Sequence, residues 1–229
     1  MGVLQSGLYT DFTWSRNHVA ASGTNQVYLL VEWRGMPGQP RNDNLGFRPV
    51  AGRIQLHLQL GAGVRLAKVY GCKAEMLNDR SFTFILGSLW QGMEKQIVLG
   101  FELTARPSGV YPVVTALWTY EDEREEQVVV SSITQSLQFS NHTAVLNKMM
   151  DKRVEKYLKL LQNPAVLENA LRAFERGCYE RGEEIIRRRA DEMLLYAARL
   201  NDGDYLKEAE LLYGLGSRFM DTYASVAAV

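Results

Sequence analysis

The residues able to do chemistry in this chain are few and far apart. His18, His57 and His142 are its only histidines. Cys72 and Cys178 are its only cysteines, spaced for neither a zinc site nor a redox CxxC, and they read as two reduced thiols. No serine or cysteine stands in a nucleophile motif, and no HExxH, Walker loop or GxGxxG is present. Asp79-Arg80-Ser81-Phe82-Thr83 has the carboxylate-and-hydroxyl make-up of a divalent-ion motif. Such a motif follows a buried apolar strand, however, and here it precedes FTFIL, so it reads as a turn entering a strand. Residues 118–127, WTYEDEREEQ, gather five acidic residues around Arg124 without the ligand spacing or glycine of a calcium loop, and read as a solvated hairpin tip. Arg187-Arg188-Arg189 is the one basic run. Glu183 and Glu184 precede it by about one turn, in the favourable order for pairing on a helix. That run reads as a self-neutralised face, with an anion or nucleic-acid contact as its alternative. Neither a metal, a cofactor nor a catalytic set is expected from these residues, and the chain is expected not to be an enzyme.

The elements that position these residues change character near Asn141. Before it, apolar residues alternate in short runs; after it, they recur every three or four residues. The clearest period of two is Ile54, Leu56, Leu58 and Leu60 against Gln55, His57 and Gln59, which turns His57 away from the apolar side. Further strands are expected over 8–14, 26–33, 64–70, 82–86, 97–103, 110–120 and 127–139, with Gly, Asn and Pro turns between them. Residues 35–50 carry Pro37, Pro40 and Pro49 among Gly, Asn and Asp, which is long for a loop within a compact domain. Helices are expected over 144–161, from Pro164 to about Arg199, and over 205–223, with Gly177 and Gly182 weakening the second.

The fold class is therefore α+β with the two parts segregated. An antiparallel β-sandwich spans 1–140, with the long Pro/Gly loop at 35–50. A helical hairpin or three-helix region follows over 141–229.

Composition bounds the function classes. Of 229 residues, 46% are hydrophobic and 23% charged, so the chain can bury a core. Twenty-six basic residues balance twenty-six acidic ones, so neither nucleic acid nor an anionic membrane surface is expected as a partner. The N-terminal MGVLQSGLYTDFTW lacks the charge and hydropathy pattern of a signal peptide, and a cytoplasmic location is expected.

Several stretches, in order, resemble the frame of bacterial von Willebrand factor A (vWA) domain-containing proteins: TWSRNHVAASGTNQVYLLVEWRG, RIQLHLQLGAGVRLAKVYG, ILGSLWQGMEKQIVLGFELTARPSGVYPVVTALWTYED and RLNDGDYLKEAELL. The most family-like local element is LG-x-L-x-x-G, Leu86 to Gly92. The resemblance implies a β-sandwich frame, a helical tail, and a vWA domain inserted between VYLLVEWRG and RIQLHLQL. This chain has only residues 36–50 there, so the metal-dependent ligand binding of the family does not carry over.

Two functional readings follow. The first is a non-catalytic interaction or assembly module, using sandwich edges and loops and a helical arm. Its candidate contacts are Met36, Phe47, Trp90, the run Arg187, Arg188 and Arg189, and Leu212 and Phe219 on the last helix; Trp90 has partial burial at a sandwich end as its alternative. Its partners would be proteins: copies of itself, a vWA protein, or an associated ATPase, the last two implied by the resemblance alone. The second reading is an enzyme or small-ligand binder with a site at the sandwich–helix junction, carried by His142, Asp151 and Arg187 to Arg189. The first reading fits the absence of a catalytic constellation.

Overall fold

The structure is a computed structural model, and it describes residues 3–5, 7–36, 49–122, 126–146 and 149–227. The chain is α+β, with sheets first and helices after them. Eleven strands are described: β1 (Val3–Gln5), β2 (Leu8–Trp14), β3 (His18–Ala20), β4 (Asn25–Gly35), β5 (Ala51–Leu60), β6 (Val64–Tyr70), β7 (Glu75–Asn78), β8 (Ser81–Leu89), β9 (Glu94–Leu103), β10 (Gly109–Glu121) and β11 (Gln127–Ser140). The helices are α1 (Thr143–Leu146), α2 (Lys152–Leu160), α3 (Asn163–Glu175), α4 (Tyr179–Leu200) and α5 (Gly203–Ala227). Two compact units result, Met1–Leu158 and Lys159–Val229. The period changes at Asn141, but the division between units falls later, inside α2.

In the first unit, one sheet has the order β1-β2-β4-β9-β6 and the other β3-β11-β10-β5-β8-β7. Every pairing is antiparallel except β11 with β3, which is parallel over three residues. Alternation sends Leu29, Val31 and Trp33 of β4, Ile97, Leu99 and Phe101 of β9, and Leu56, Leu58, Phe84 and Trp118 of the second sheet into one shared core. Trp118 lies 5.9 Å from Trp33 and 6.3 Å from Phe12, ring centroid to ring centroid. Each fully buried side chain of this kind contributes about 1.5–3 kcal/mol. His57 lies on the opposite face of its strand, as its alternation requires, within reach of Thr83 Oγ1 (3.0 Å) and Thr119 Oγ1 (3.3 Å). Asp79 sits in the turn between β7 and β8, where Asn78 Oδ1 accepts the Arg80 N–H at 2.9 Å.

In the second unit, α3, α4 and α5 pack through Ala170, Phe174, Ile186, Met193, Tyr205, Ala209 and Leu212. The expected single helix from Pro164 to Arg199 is divided in two. Gly177, at φ +76°, donates to Phe174 O (2.9 Å), and Cys178 N–H donates to Ala173 O (2.9 Å). This pair of bonds is a Schellman ending, which needs a left-handed residue that glycine supplies without strain. Gly182 lies inside α4, and it is glycine for a different reason: a Cβ there would lie 2.8 Å from the ring of Phe174.

The basic run is not one solvated face. Arg187 and Arg188 are exposed, but Arg189 is buried. Its Nε donates to Asn163 Oδ1 (2.5 Å), one Nη to Glu192 Oε2 (2.6 Å), and the other to Lys159 O (2.5 Å). Asn163, itself buried, passes a bond on to Glu208 Oε1 at 2.9 Å. One guanidinium thus holds the backbone before α3, the start of α3, and α4. Arg189→Leu is expected to destabilise the helical unit by about 1–3 kcal/mol, because it leaves buried acceptors unpaired. Arg187→Ala and Arg188→Ala are each expected to stay within about 0.5 kcal/mol of the parent. Urea unfolding followed by circular dichroism separates the three.

Candidate functional site at the neck of the 36–50 segment

β4 belongs to the first sheet and β5 to the second, so residues 36–50 carry the chain from one to the other. The start of that segment is held on both sides. Gly35 N–H donates to Met93 O (2.9 Å), Gly92 N–H donates to Gly35 O (2.9 Å), and Met36 N–H donates to Gly7 O (2.8 Å). A Cβ on Gly35 would collide with the carbonyl oxygen of Trp90 and lie 2.8 Å from Val50 Cγ2. The close approach of backbones therefore requires glycine. Around this neck stand Trp90, 41% exposed, Met93, 49% exposed, and the half-buried Met36.

Beside the neck, on the outer face of the first sheet, Tyr9, Asp11, Glu32, Arg34, Glu94 and Arg153 line a depression of about 250 Å³. Register explains their meeting. Asp11 pairs with Glu32, and Tyr9 with Arg34, which pairs in turn with Glu94. Arg34 Nη2 bonds Glu94 Oε2 at 2.6 Å. The guanidinium of Arg153 bonds the buried Glu32 carboxylate and stands 3.8 Å from Asp11. The start of α2 fixes that arginine. Asp151 Oδ1 accepts the N–H groups of Arg153 (2.9 Å) and Val154 (3.3 Å), as an N-cap does, and Asp151 N–H donates to Ser15 O (2.8 Å). The hydrogen bond to Glu32, and after it the charges of Glu32, Asp11 and Asp151, hold Arg153 above its already high pKa against the opposing effect of burial.

This arrangement orients charges. Three carboxylates meet two guanidiniums, and the arginines stay charged at any working pH. No group of three or more His, Cys, Asp or Glu side chains placed to hold a metal ion occurs among the described residues.

Of the contacts expected from sequence, Met36 and Trp90 are brought together at the neck. Phe47 lies outside the described residues, as do residues 123–125 of the acidic hairpin. Leu212 is not a free contact: it is 1% exposed in the helical core. Phe219 is half-buried, and its ring stacks on Phe174 at 5.4 Å. Arg189 is spent inside the helical unit, as described above, which leaves Arg187 and Arg188 as the exposed pair of the run. Sequence reading missed Gly35 and Arg153. A signal for the second was present, because Glu32 is the one charge in the apolar run VYLLVEW, and a carboxylate buried there demands a cation.

The sequence matches no protein-family profile and no curated protein. Among solved structures, the chain is similar in fold to a von Willebrand factor type A protein from Catenulispora acidiphila, with TM-score 0.50 and 12% identity. The match covers 65% of this chain and 37% of that one, so this chain spans little more than a third of that protein's length. Weaker likenesses include a cohesin module from a Clostridium perfringens family 33 glycoside hydrolase (TM-score 0.38, 9% identity, 57% of this chain and 96% of that one). The major pilin subunit of Bacillus cereus is another (TM-score 0.40, 6% identity, 58% of this chain and 40% of that one). At these identities the likeness is one of fold alone.

Two expectations test the site. Arg153→Ala strands the buried Glu32 carboxylate and is expected to lower stability by about 1–3 kcal/mol, with Glu32→Gln in the same chain recovering most of the loss; a double-mutant cycle in urea reads the coupling. The thiol of Cys72 is pushed up to about 11 by burial, whereas Cys178 is exposed. At pH 8, iodoacetamide should therefore label Cys178 well before Cys72, since the thiolate is the nucleophile. Mass spectrometry of the labelled peptides checks the order.

Proposed function

We propose that this chain is a non-catalytic protein-interaction and assembly module, built as the frame of a vWA-type protein without the inserted vWA domain. The observation that carries the reading is the neck. Its backbone is fixed by three hydrogen bonds and a glycine with no room for a side chain, yet beside the half-buried Met36 the side chains of Trp90 and Met93 are left in solvent. A rigid base carrying exposed methionine and tryptophan is the make-up of an interface anchor. The neck also lies between the two strands where the family resemblance puts the insertion, and the fold likeness to the Catenulispora protein is in keeping with it.

The partner is a protein: a second copy, a vWA protein, or an ATPase that works with one. A balanced formal charge favours a polypeptide over a polyanion. We place the chain in the bacterial cytoplasm. No described helix is long and apolar enough to cross a membrane.

The chain reports on its own neck. Of its four tryptophans, Trp14, Trp33 and Trp118 are buried and Trp90 is exposed. Acrylamide should therefore quench mainly Trp90, and Trp90→Phe should remove most of the quenchable emission. Light scattering and quenching are then measured together across a concentration series, alone and with a purified vWA protein. A rise in mass matched by a fall in Trp90 quenching is the expected result. A rise in mass with quenching unchanged moves the interface away from the neck. No rise with either partner sinks the reading for both.

A further inference from the structure

The ladder of the first sheet stops short at one edge. β4 pairs with β9 along its whole length, from Arg34 opposite Glu94 to Asn25 opposite Leu103. On the other side of β9, the last residue pair made by β6 is Tyr70 with Val98. Gly71, at φ +95°, then turns the chain away toward Cys72. The bond from Gly35 N–H to Met93 O sets the phase of the ladder. In an antiparallel pair the main-chain groups of successive residues point to alternate sides. Met93, Lys95 and Ile97 therefore face β4, while the N–H and C=O of Glu94 and Gln96 face outward, where no strand is paired among the described residues.

Behind this unpaired stretch, in line with the missing half of β6, lies a cleft of about 390 Å³. Trp33, Cys72, Ile85, Leu86, Lys95 and Ile97 are among its walls. Trp33 is 2% exposed, and its buried indole Nε1–H has no acceptor among the described residues. A buried donor of this kind is costly to leave unmet. Lys95 Nζ donates to Ser88 O (3.1 Å) and so spans the gap between the two sheets.

We infer that the edge of β9 at Glu94–Gln96 and the cleft behind it take an extended peptide segment of a protein partner, added as a strand that continues the line of β6. The unspent groups are main-chain donors and acceptors at strand spacing, which a peptide satisfies and a compact small molecule does not. One side chain of the added strand points between the sheets. It has an apolar body, to pack on Ile97 and Leu86, and an acceptor such as a hydroxyl or amide oxygen, to meet Trp33 Nε1. This assignment rests on the interaction reading above and names the kind of partner; it uses main-chain pairing, whereas the neck uses exposed side chains.

The test uses a phage-displayed library of random dodecapeptides panned against the whole immobilised chain. Gln96→Pro removes one outward N–H and leaves the bonds to β4 intact, as edge proline does. Cys72→Phe fills the cleft. Binders to the native chain are expected to lose at least about tenfold in affinity to each variant, the loss of one or two net hydrogen bonds or of the pocket contact. A second readout needs no variant: hydrogen exchange of the Gln96 amide in the native chain should be fast when free and slowed by peptide. The inference is overturned if no peptide enriches, if enriched peptides bind Gln96→Pro as tightly as the parent, or if Gln96 exchange is unaffected. If the native chain self-associates and Gln96→Pro alone makes it a monomer, the occupant is a second copy and the peptide assignment falls. Failure here leaves the Trp90 quenching result unchanged, so the two proposals are separable.

Discussion

The middle of strand β4, from Leu29 to Trp33, is buried on both faces, and much of the first unit follows from that. Its inner face gives Val27, Leu29, Val31 and Trp33 to the core between the sheets. Its outer face carries Leu30, fully buried, and Glu32, 5% exposed. A carboxylate in that position is tolerable only beside a cation, and the cation comes from Arg153 at the start of α2. Such a pair adds little net stability over an apolar replacement but is costly to break from one side. It acts as a positional lock. Together with the Asp151 cap and its bond to Ser15 O, it fixes the first turn of α2 on the sheet. The fully buried Val154 next in sequence completes that attachment.

The second unit solves a like problem with the signs reversed. There the buried charge is the guanidinium of Arg189, and the helices bring the acceptors: a backbone carbonyl at Lys159, an amide at Asn163 and a carboxylate at Glu192. Three bonds to one planar group set directions as well as distances, which a lysine in the same place would not do. In both units, one arginine ties segments that apolar packing alone would leave free to slide.

What was legible in the sequence follows the range of the forces involved. The period of two in β5 and the helical stripe after Asn141 are local patterns, and the elements they announce are present, except that the helix expected over 144–161 is not continuous: residues 149–151 are not helical, and Asp151 caps a new helix, α2. β1, β3 and β7 were not legible, because three or four residues are too few to show a period. β7 is exposed at every position and displays no apolar face at all. Gly177 and Gly182 looked alike in sequence. The first ends α3 through its left-handed backbone, and the second makes room for Phe174, a distinction that depends on a side chain packed from another helix. The three arginines of the run also looked alike. About 100° of helical rotation per residue separates them, and it puts only Arg189 against the neighbouring helices. The partnership of Arg153 with Glu32 joins residues 121 apart, beyond the reach of any local pattern.

The edges of the sandwich bear on its function. Natural sheets keep their outermost strands short, bulged or charged, because an unpaired ladder recruits another chain. β1 and β3 have three residues each, β7 has four, and β6 is irregular between Leu66 and Lys68. Those edges are guarded in the usual ways. The exposed stretch of β9 is different, since it belongs to a ten-residue strand that is fully paired on its other side and is left open only because β6 turns away at Gly71. Its charged residues are Glu94, held by Arg34, and Lys95, whose ammonium bridges to the opposite sheet. Met93 then joins this edge to the neck: its carbonyl holds Gly35, and the residue after it is the first with outward main-chain groups. The exposed side chains of the neck and the open ladder of β9 therefore share one end of the sandwich, and the turn that fixes the first also starts the second.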